Sequence, residues 1–141
     1  MRTDHVIALV SAVRARSVDF LAGELKARGV LDLKPSHGAL LASLFGRGGK
    51  ASMRELLASG ARKKSTLTEM ANKLEKQGYL KRLPDPDDAR GVVLELSDRA
   101  WSIRPAFDAV SEALLDRAWR GFSQRDRETL IRLLTRMLDS F

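Results

Sequence analysis

The chain contains no cysteine, which excludes disulfide bonds, cysteine-based zinc sites and thiol redox switches. Its two histidines, His5 and His37, lie far apart in the sequence, so the chain has few residues with which to build a histidine metal site or a serine–histidine catalytic pair. No apolar run approaches the roughly 18 residues of a membrane-spanning helix. We therefore expect a soluble, cytoplasmic protein that needs no metal or cofactor and does not span a membrane.

The sequence also lacks the motifs that mark common enzyme classes. The glycine-rich stretch 46–50 does not have the spacing of a phosphate-binding loop and does not follow an apolar strand. Asp85, Asp87 and Asp88 suggest a metal cluster, but two interleaved prolines and the lack of supporting ligands make a turn the better interpretation. We expect no enzymatic activity.

Positive charge is concentrated in the middle of the 141-residue chain. The formal net charge is +7, and residues 47–90 hold eleven basic and six acidic side chains, whereas residues 91–141 hold eight of each. A concentrated basic segment indicates a polyanionic partner, either nucleic acid or an anionic membrane surface; a solvated face that aids solubility is the alternative. Charge alone does not decide between these interpretations.

Apolar residues recur at helical spacing along most of the chain, which predicts a mainly helical protein. A long first helix ends near Gly29, and a second begins at Pro35. A short third helix, capped by Ser52, ends at Ser59–Gly60.

The C-terminal part predicts two further helices. Ser97 and Ser123 are suited to cap them, and their apolar positions recur every three or four residues. Pro105 lies inside the first of the two and predicts a kink or a break.

Between these parts, a helical run is followed by a change of period. A short turn follows the third helix, and the helical run then begins at Thr66 and ends at Gly78. Residues 79–83 and 92–96 have the composition of strands, and they predict a β-hairpin with a loop of about eight residues. The order is helix, turn, helix and two-stranded wing.

This order is typical of DNA-reading proteins, because the second helix fits the major groove and the hairpin reaches the neighbouring minor groove or backbone. Cations before a helix oppose its dipole, so an anionic partner explains three in a row better than helix stability does. The three are Arg62, Lys63 and Lys64, and the candidate contacts on the helix are Ser65, Thr66, Thr68 and Lys73.

These residues resemble the MarR family of winged helix-turn-helix transcription regulators over nearly the whole chain. Residues 83–97 are similar to its wing signature, in which an Asp-x-Arg, here Asp88 to Arg90, precedes a Leu-Ser pair. Residues 65–80 resemble its recognition helix and the exit from it, and residues 122–134 resemble its closing helix. The resemblance implies a mainly α fold with a small β-hairpin wing.

The resemblance also implies one domain over 1–141 that forms an obligate homodimer. Residues 1–30 and 98–141 are expected to build the dimerisation lobe, and residues 35–97 the DNA-binding lobe. Two recognition helices then enter successive major grooves of a palindromic operator in double-stranded DNA, and Arg90, oriented by Asp88, contacts the minor groove or its phosphates. The apolar residues expected at the dimer interface are Val6, Val10, Val13, Leu130, Leu133, Leu134 and Met137.

Members of this family often bind small aromatic or phenolic anions in a cleft between the two lobes, and the resemblance implies such an effector. Arg14, His37, Trp101 and Arg104 are the candidate cleft residues. Each also has an ordinary explanation, as a surface histidine, a core aromatic residue or solvated arginines.

Three positions depart from the family pattern. Arg62 stands where the family's recognition helices often start with a Ser or Thr cap. Glu69 stands where a basic residue is common, and its carboxylate would repel phosphate or accept a hydrogen bond from a cytosine amine. Ala100 replaces the glycine that is usual after the wing. We expect a dimeric, sequence-specific regulator, a repressor relieved by a small molecule. Two alternatives stay open: a winged-helix assembly module, and a nucleic-acid-binding protein without sequence preference.

Overall fold

The computed structural model describes residues 1–58, 60 and 62–141. This part of the chain has six helices and a three-stranded antiparallel sheet with the strand order β1-β3-β2. The predicted fold class, mainly α with a small hairpin wing, is confirmed. The elements are α1 (Val6–Ala27), α2 (Pro35–Gly46), β1 (Lys50–Ser52), α3 (Met53–Ala58), α4 (Lys64–Lys76), β2 (Leu80–Asp85), β3 (Asp88–Leu96), α5 (Asp98–Ala118) and α6 (Gln124–Leu138).

Capping residues set most helix ends where the sequence predicts them. Gly29 follows α1 with a φ of 81°, and Pro35 is the first residue of α2. The Ser97 hydroxyl accepts a hydrogen bond from a main-chain N–H in the first turn of α5. Ser123 and Asp126 form a complete capping box at the start of α6. None of the helices in the described residues combines the length and apolar character needed to cross a membrane.

The hydrophobic core joins α2, α4 and β3, and it extends to α5 through aromatic side chains. Phe45 of α2 meets Trp101 and Phe107 of α5 edge to face, with ring centroids 5.4 and 5.6 Å away. This packing places α4 between the core and solvent. Six leucines in the core are at most 1% exposed: Leu40, Leu41, Leu44, Leu67, Leu74 and Leu94.

The structure adds a strand that hydrophobic spacing does not reveal. The three-residue β1 pairs with the central strand β3, with Ala51 opposite Leu94. Ser52 ends β1 and caps α3, as predicted, because its hydroxyl accepts the Glu55 N–H at 3.1 Å. The same hydroxyl also lies 3.1 Å from Oε1 of Glu55, to which it donates.

The wing loop is much shorter than predicted. Residues 86 and 87 alone connect β2 to β3, so the expected loop of about eight residues is wrong. Pro84 lies in β2, which is an edge strand and can accommodate a residue without an N–H. The Asp85 carboxylate accepts the Asp87 N–H at 2.9 Å, and this side-chain turn closes the hairpin.

The start of α4 also differs from the prediction. The helix begins at Lys64, two residues before Thr66, and Lys63 is its N-cap. Of the two residues predicted to end α3, Gly60 has a φ of 71°, which suits a chain reversal, and Ser59 lies outside the described residues.

Helix α5 runs through Pro105 without interruption, so the predicted break does not occur. Proline removes one main-chain hydrogen bond from a helix interior. The remaining turns of this 21-residue helix keep their hydrogen bonds, and Phe107 and Val110 anchor it in the core beyond the proline.

Candidate nucleic-acid interface

Helix α4 has one face in the core and one in solvent. The core face carries Leu67, Met70, Ala71 and Leu74. At about 100° per residue, the opposite face is centred on Ser65, Glu69, Asn72 and Lys76, all of which are exposed. Ser65 was predicted to be a contact residue, whereas Asn72 and Lys76 were missed. The helical period measured from the buried leucines is the signal that identifies them.

The other predicted residues of α4 lie on its two flanks. Lys64 and Thr68 lie on the flank that faces the wing, and the Thr68 hydroxyl donates to the Lys64 carbonyl at 2.8 Å. Lys73 lies on the flank towards α2. His37 lies on this side of α4, and its pKa is lowered mainly by burial and further by the positive charges of Lys34 and Lys73. Its imidazole is therefore neutral at pH 7.

The first turn of α4 is strongly cationic. Lys63 and Lys64 are exposed and Arg62 is half-buried. Within the described residues, this turn has neither an acidic side chain nor a side-chain cap, so its main-chain N–H groups add to the positive potential. Such a helix end favours a bound anion.

A groove of about 520 Å³ separates α4 from the wing. Arg82 of β2 bridges the two elements, because its guanidinium donates to Oδ1 of Asn72 and to the Thr68 carbonyl. This contact holds the hairpin against the exposed side of α4. The groove is lined by four basic side chains, Arg54, Lys64, Arg82 and Arg90, and by two acidic ones, Asp85 and Asp88.

Arg90 lies in a bulge of the wing. Pro84 pairs with Val92 and Asp85 pairs with Asp88, so residues 89–91 of β3 have no partner on β2. A bulge of this kind redirects side chains relative to the regular strand. The exposed Arg90 side chain thereby reaches the groove that faces α4.

Asp88 contacts Arg90 in a different way from the one that the resemblance implies. Its Oδ1 accepts the main-chain N–H of Arg90 at 3.0 Å, and its Oδ2 accepts Nη2 of Arg54 at 2.6 Å. The Asp88 carboxylate therefore shapes the bulge and ties the wing to α3, and the Arg90 guanidinium stays exposed. Sequence reasoning missed Arg54 because its partner is 34 residues away.

The predicted dimerisation residues form exposed apolar faces in the single chain. Helix α6 has no buried residue, although its apolar side chains follow one stripe. An amphipathic helix whose apolar face is uncovered indicates an interface. Val10, Val13, Leu130, Leu133 and Leu134 are 37–59% exposed, and Val6 and Met137 are half-buried.

The structure brings two of the four candidate cleft residues together. The Arg104 guanidinium lies 5.3 Å from the ring centroid of Trp101. Arg14 is exposed on α1, and His37 faces Lys73 instead. A separate cavity of about 150 Å³ lies between α1, α2 and α5, and its lining is mainly apolar: Leu21, Leu25, Pro35, Gly38, Ala39, Ala42, Phe107, Val110, Ser111 and Leu114.

Comparison with known proteins identifies relatives of the same architecture. Residues 33–92 match the model of the MarR family. The chain is 32% identical over 104 residues to the uncharacterized HTH-type transcriptional regulator YkoM of Bacillus subtilis. This alignment covers 71% of this chain and 64% of YkoM. It is 28% identical over 75 residues to the HTH-type transcriptional regulator SarZ of Staphylococcus haemolyticus, over 53% of this chain and 50% of SarZ. The chain thus matches about half to two thirds of the length of these relatives.

Solved structures share the fold along almost the whole chain. A crystal structure of a mutant MarR from E. coli, complexed with operator DNA, has a TM-score of 0.81 to this chain. The superposition covers 98% of this chain and 99% of that one, at 23% identity. The helices that flank the winged segment therefore belong to the shared fold.

The contacts of Asp88 predict a titration shift. The hydrogen bond from the Arg90 N–H has the larger effect and the contact with Arg54 the smaller one, and both hold the pKa of Asp88 below its usual value of 3.8. We predict that Arg54→Gln raises the pKa of Asp88 only part of the way back, because the Arg90 N–H remains. Carbon NMR of the Asp88 carboxyl against pH measures this, with Arg2→Gln, whose partner is Asp4, as the control. An Asp88 pKa that is the same in Arg54→Gln as in the unmodified chain would contradict the Arg54 contact.

Proposed function

We propose that the chain is a member of the MarR family and a dimeric transcription regulator that binds a palindromic operator in double-stranded DNA through α4 and the wing. The observation that carries the proposal is the groove in which Lys64 and Thr68 of α4 face Arg90 of the wing. When a helix occupies the major groove and a wing the adjacent minor groove, one sugar-phosphate strand lies between them. Lys64 and Arg90, the cations on its two sides, suit that strand, whereas Arg54 and Arg82 donate to groups within the protein.

The exposed face of α4 supplies the groups for reading bases. We propose that Ser65, Glu69 and Lys76 face the base edges, with Glu69 accepting from a cytosine amine rather than meeting a phosphate. Asn72 is held by Arg82 and positions the wing. The remaining predicted contacts, Arg62, Lys63, Thr66 and Lys73, lie at the helix start or on its flank, where phosphates pass.

The names of the relatives support the same function. SarZ and YkoM are both named HTH-type transcriptional regulators, and the E. coli MarR structure contains operator DNA. We propose repression as the mode of action, because two winged lobes on successive major grooves occlude the DNA that they cover.

The proposed dimer divides the chain into two lobes. We propose that residues 1–30 and 98–141 form the dimerisation lobe and that residues 35–97 form the DNA-binding lobe. Support comes from α6, which has an apolar stripe but no buried residue in its own chain among the described residues. A two-fold symmetric partner would cover this stripe together with the exposed valines of α1.

A small aromatic effector stays a prediction. The cavity between α1, α2 and α5 has the volume of a cavity that holds one aromatic ring. Phe107 lines this cavity, and its ring contacts the ring of Phe45. The Arg104 guanidinium lies 5.7 Å from the centroid of the Phe45 ring and so is connected to the cavity through these two rings. A ligand there would change DNA affinity only by binding the two spacings of the recognition helices unequally.

Selection of bound sequences from a random duplex pool tests the proposed function. We expect an enriched palindrome whose half-site centres lie about one helical turn, roughly 10 base pairs, apart. Binding that weakens with salt but enriches no sequence would support the nonspecific alternative. An absence of binding would support the assembly module.

Removing single cations tests the proposed contacts. We predict that Arg90→Ala, and separately Lys63→Ala with Lys64→Ala, weakens operator binding and lowers the slope of log affinity against log salt by about one per lost phosphate contact. Fluorescence anisotropy between 50 and 200 mM salt, roughly the range in which such effects are large, measures the slope. Arg125→Ala, which removes the same charge from the exposed start of α6, is the control and should keep the original slope. Equal slopes in all variants would rule out these contacts.

A charge on the apolar stripe of α6 tests the proposed dimer. We predict that the unmodified chain sediments as a dimer at micromolar concentration and that Leu133→Glu shifts it towards monomer, because a carboxylate is costly to bury in an apolar interface. Thr135→Glu adds the same charge to the polar side of the same helix and should leave the dimer intact. Analytical ultracentrifugation compares the three chains. A folded, stable monomer of the unmodified chain would contradict the proposal.

A further inference from the structure

A polar cluster joins the end of α4 to two segments that lead towards α1 and α5. Asp32 lies in the loop between α1 and α2, and both of its carboxylate oxygens are engaged. The Tyr79 hydroxyl donates to Oδ1 at 2.6 Å, and Nη2 of Arg99 donates to Oδ2 at 2.8 Å. Arg99 also donates to the Gln77 carbonyl, and the Gln77 side-chain amide donates to the Asp32 carbonyl. We call Asp32, Gln77, Tyr79 and Arg99 the Asp32 clamp.

The clamp is held by charge and by stacking. Tyr79 is 2% exposed, and the Arg99 guanidinium lies 4.3 Å from its ring centroid. Burial, with the hydrogen bond to Asp32, raises the pKa of Tyr79 to about 12. The Tyr79 hydroxyl, and then Arg99, lower the pKa of Asp32. At neutral pH the tyrosine therefore keeps its proton and the carboxylate keeps its charge, which strengthens the hydrogen bond between them.

Tyr79 is rigidly attached to the axis of α4. Gly78, with a φ of 81°, ends the helix in a Schellman motif: the Gly78 N–H donates to the Glu75 carbonyl at 3.0 Å, and the Tyr79 N–H donates to the Leu74 carbonyl at 2.9 Å. The Ser97 N–H, just before α5, donates to the Tyr79 carbonyl at 2.9 Å. A displacement of the Tyr79 side chain would therefore displace the C-terminal end of α4.

We expect the Asp32–Arg99 ion pair to add little to the free energy of folding. The two side chains are 40% and 49% exposed, and ion pairs of this exposure contribute little to folding free energy. Their geometry has the larger consequence, because three chain segments meet at one carboxylate. The pair limits how α4 can tilt relative to α1 and α5.

We propose that the Asp32 clamp sets the distance between the two recognition helices of the dimer, so that Asp32, Tyr79 and Arg99 are positioning residues for half-site spacing. This proposal rests on the proposed function. One base pair advances along the DNA axis by about 3.4 Å and turns about it by roughly 35°. Because the two-fold axis doubles any displacement, a change of one base pair in half-site spacing corresponds to about 1.7 Å and roughly 17° in each α4. We expect that loss of one clamp hydrogen bond widens the range of positions that α4 occupies.

The first experiment measures the distance between the helices without DNA. Because the chain has no cysteine, Glu69→Cys places a single spin label on the exposed face of each α4. Pulsed electron paramagnetic resonance then gives the distribution of label distances in the dimer. We expect a narrow distribution in the otherwise unmodified chain and a broader one in Tyr79→Phe, which removes only the hydroxyl. We expect the same in Asp32→Asn, which removes the charge and replaces one of the two accepting oxygens with a donating NH2 group.

The control is Arg28→Gln, which breaks the ion pair with Glu24 at the end of α1 and leaves the clamp intact. Its distribution should keep the original width. Tyr79→Phe and Asp32→Asn distributions as narrow as that of the control would overturn the proposal.

The second experiment uses the selected palindrome and versions whose half-sites are one base pair closer or further apart. We expect the unmodified chain to prefer one spacing and Tyr79→Phe to reduce this preference about threefold, the equilibrium effect of one hydrogen bond. A loss of affinity that is uniform across all spacings would overturn the clamp's role. A missing dipolar signal or an unenriched pool in the unmodified chain would instead contradict the dimer or the DNA binding, and with it the spacing that the clamp is proposed to set.

Discussion

The packing of buried leucines between α2, α4 and β3 is the interaction on which the rest of the molecule depends. Leu44 of α2, Leu74 of α4 and Leu94 of β3 are all fully buried, and side chains of this size contribute about 1.5–3 kcal/mol each when they leave water. Because this stripe of α4 is committed to the core, the opposite stripe, with Ser65 and Glu69, has to face solvent. The surface that the protein is proposed to offer to DNA is therefore set by its apolar interior.

Polar contacts then determine how the exposed parts are oriented on that core. Arg82 holds the wing against α4, and Arg54 holds the Asp88 turn against α3. Such exposed pairs add little to stability, but each restricts one element relative to another. The Asp32 clamp acts in the same way at the other end of α4. Helix α4 is thus supported by apolar packing along its length and by charged hydrogen bonds at its end.

Much of the fold was predictable because its signals are local. Helix starts at Pro35, Ser97 and Ser123 depend on capping groups that lie within one turn, and Gly29 ends α1 through its own backbone freedom. Two of the errors come from pairing with distant residues. Strand β1 exists only because β3 accepts it, and the wing strands extend past Pro84 because β2 lies at the edge of the sheet.

The sequence by itself determined the winged helix-turn-helix class, the basic turn of Arg62, Lys63 and Lys64, and the apolar stripes of α1 and α6, because composition and period are properties of neighbouring residues. Only the tertiary structure decided that Asp88 engages Arg54 and not the Arg90 guanidinium, and that Asp32 meets Tyr79 and Arg99. These contacts join residues 34–67 positions apart, and no local pattern encodes such distances.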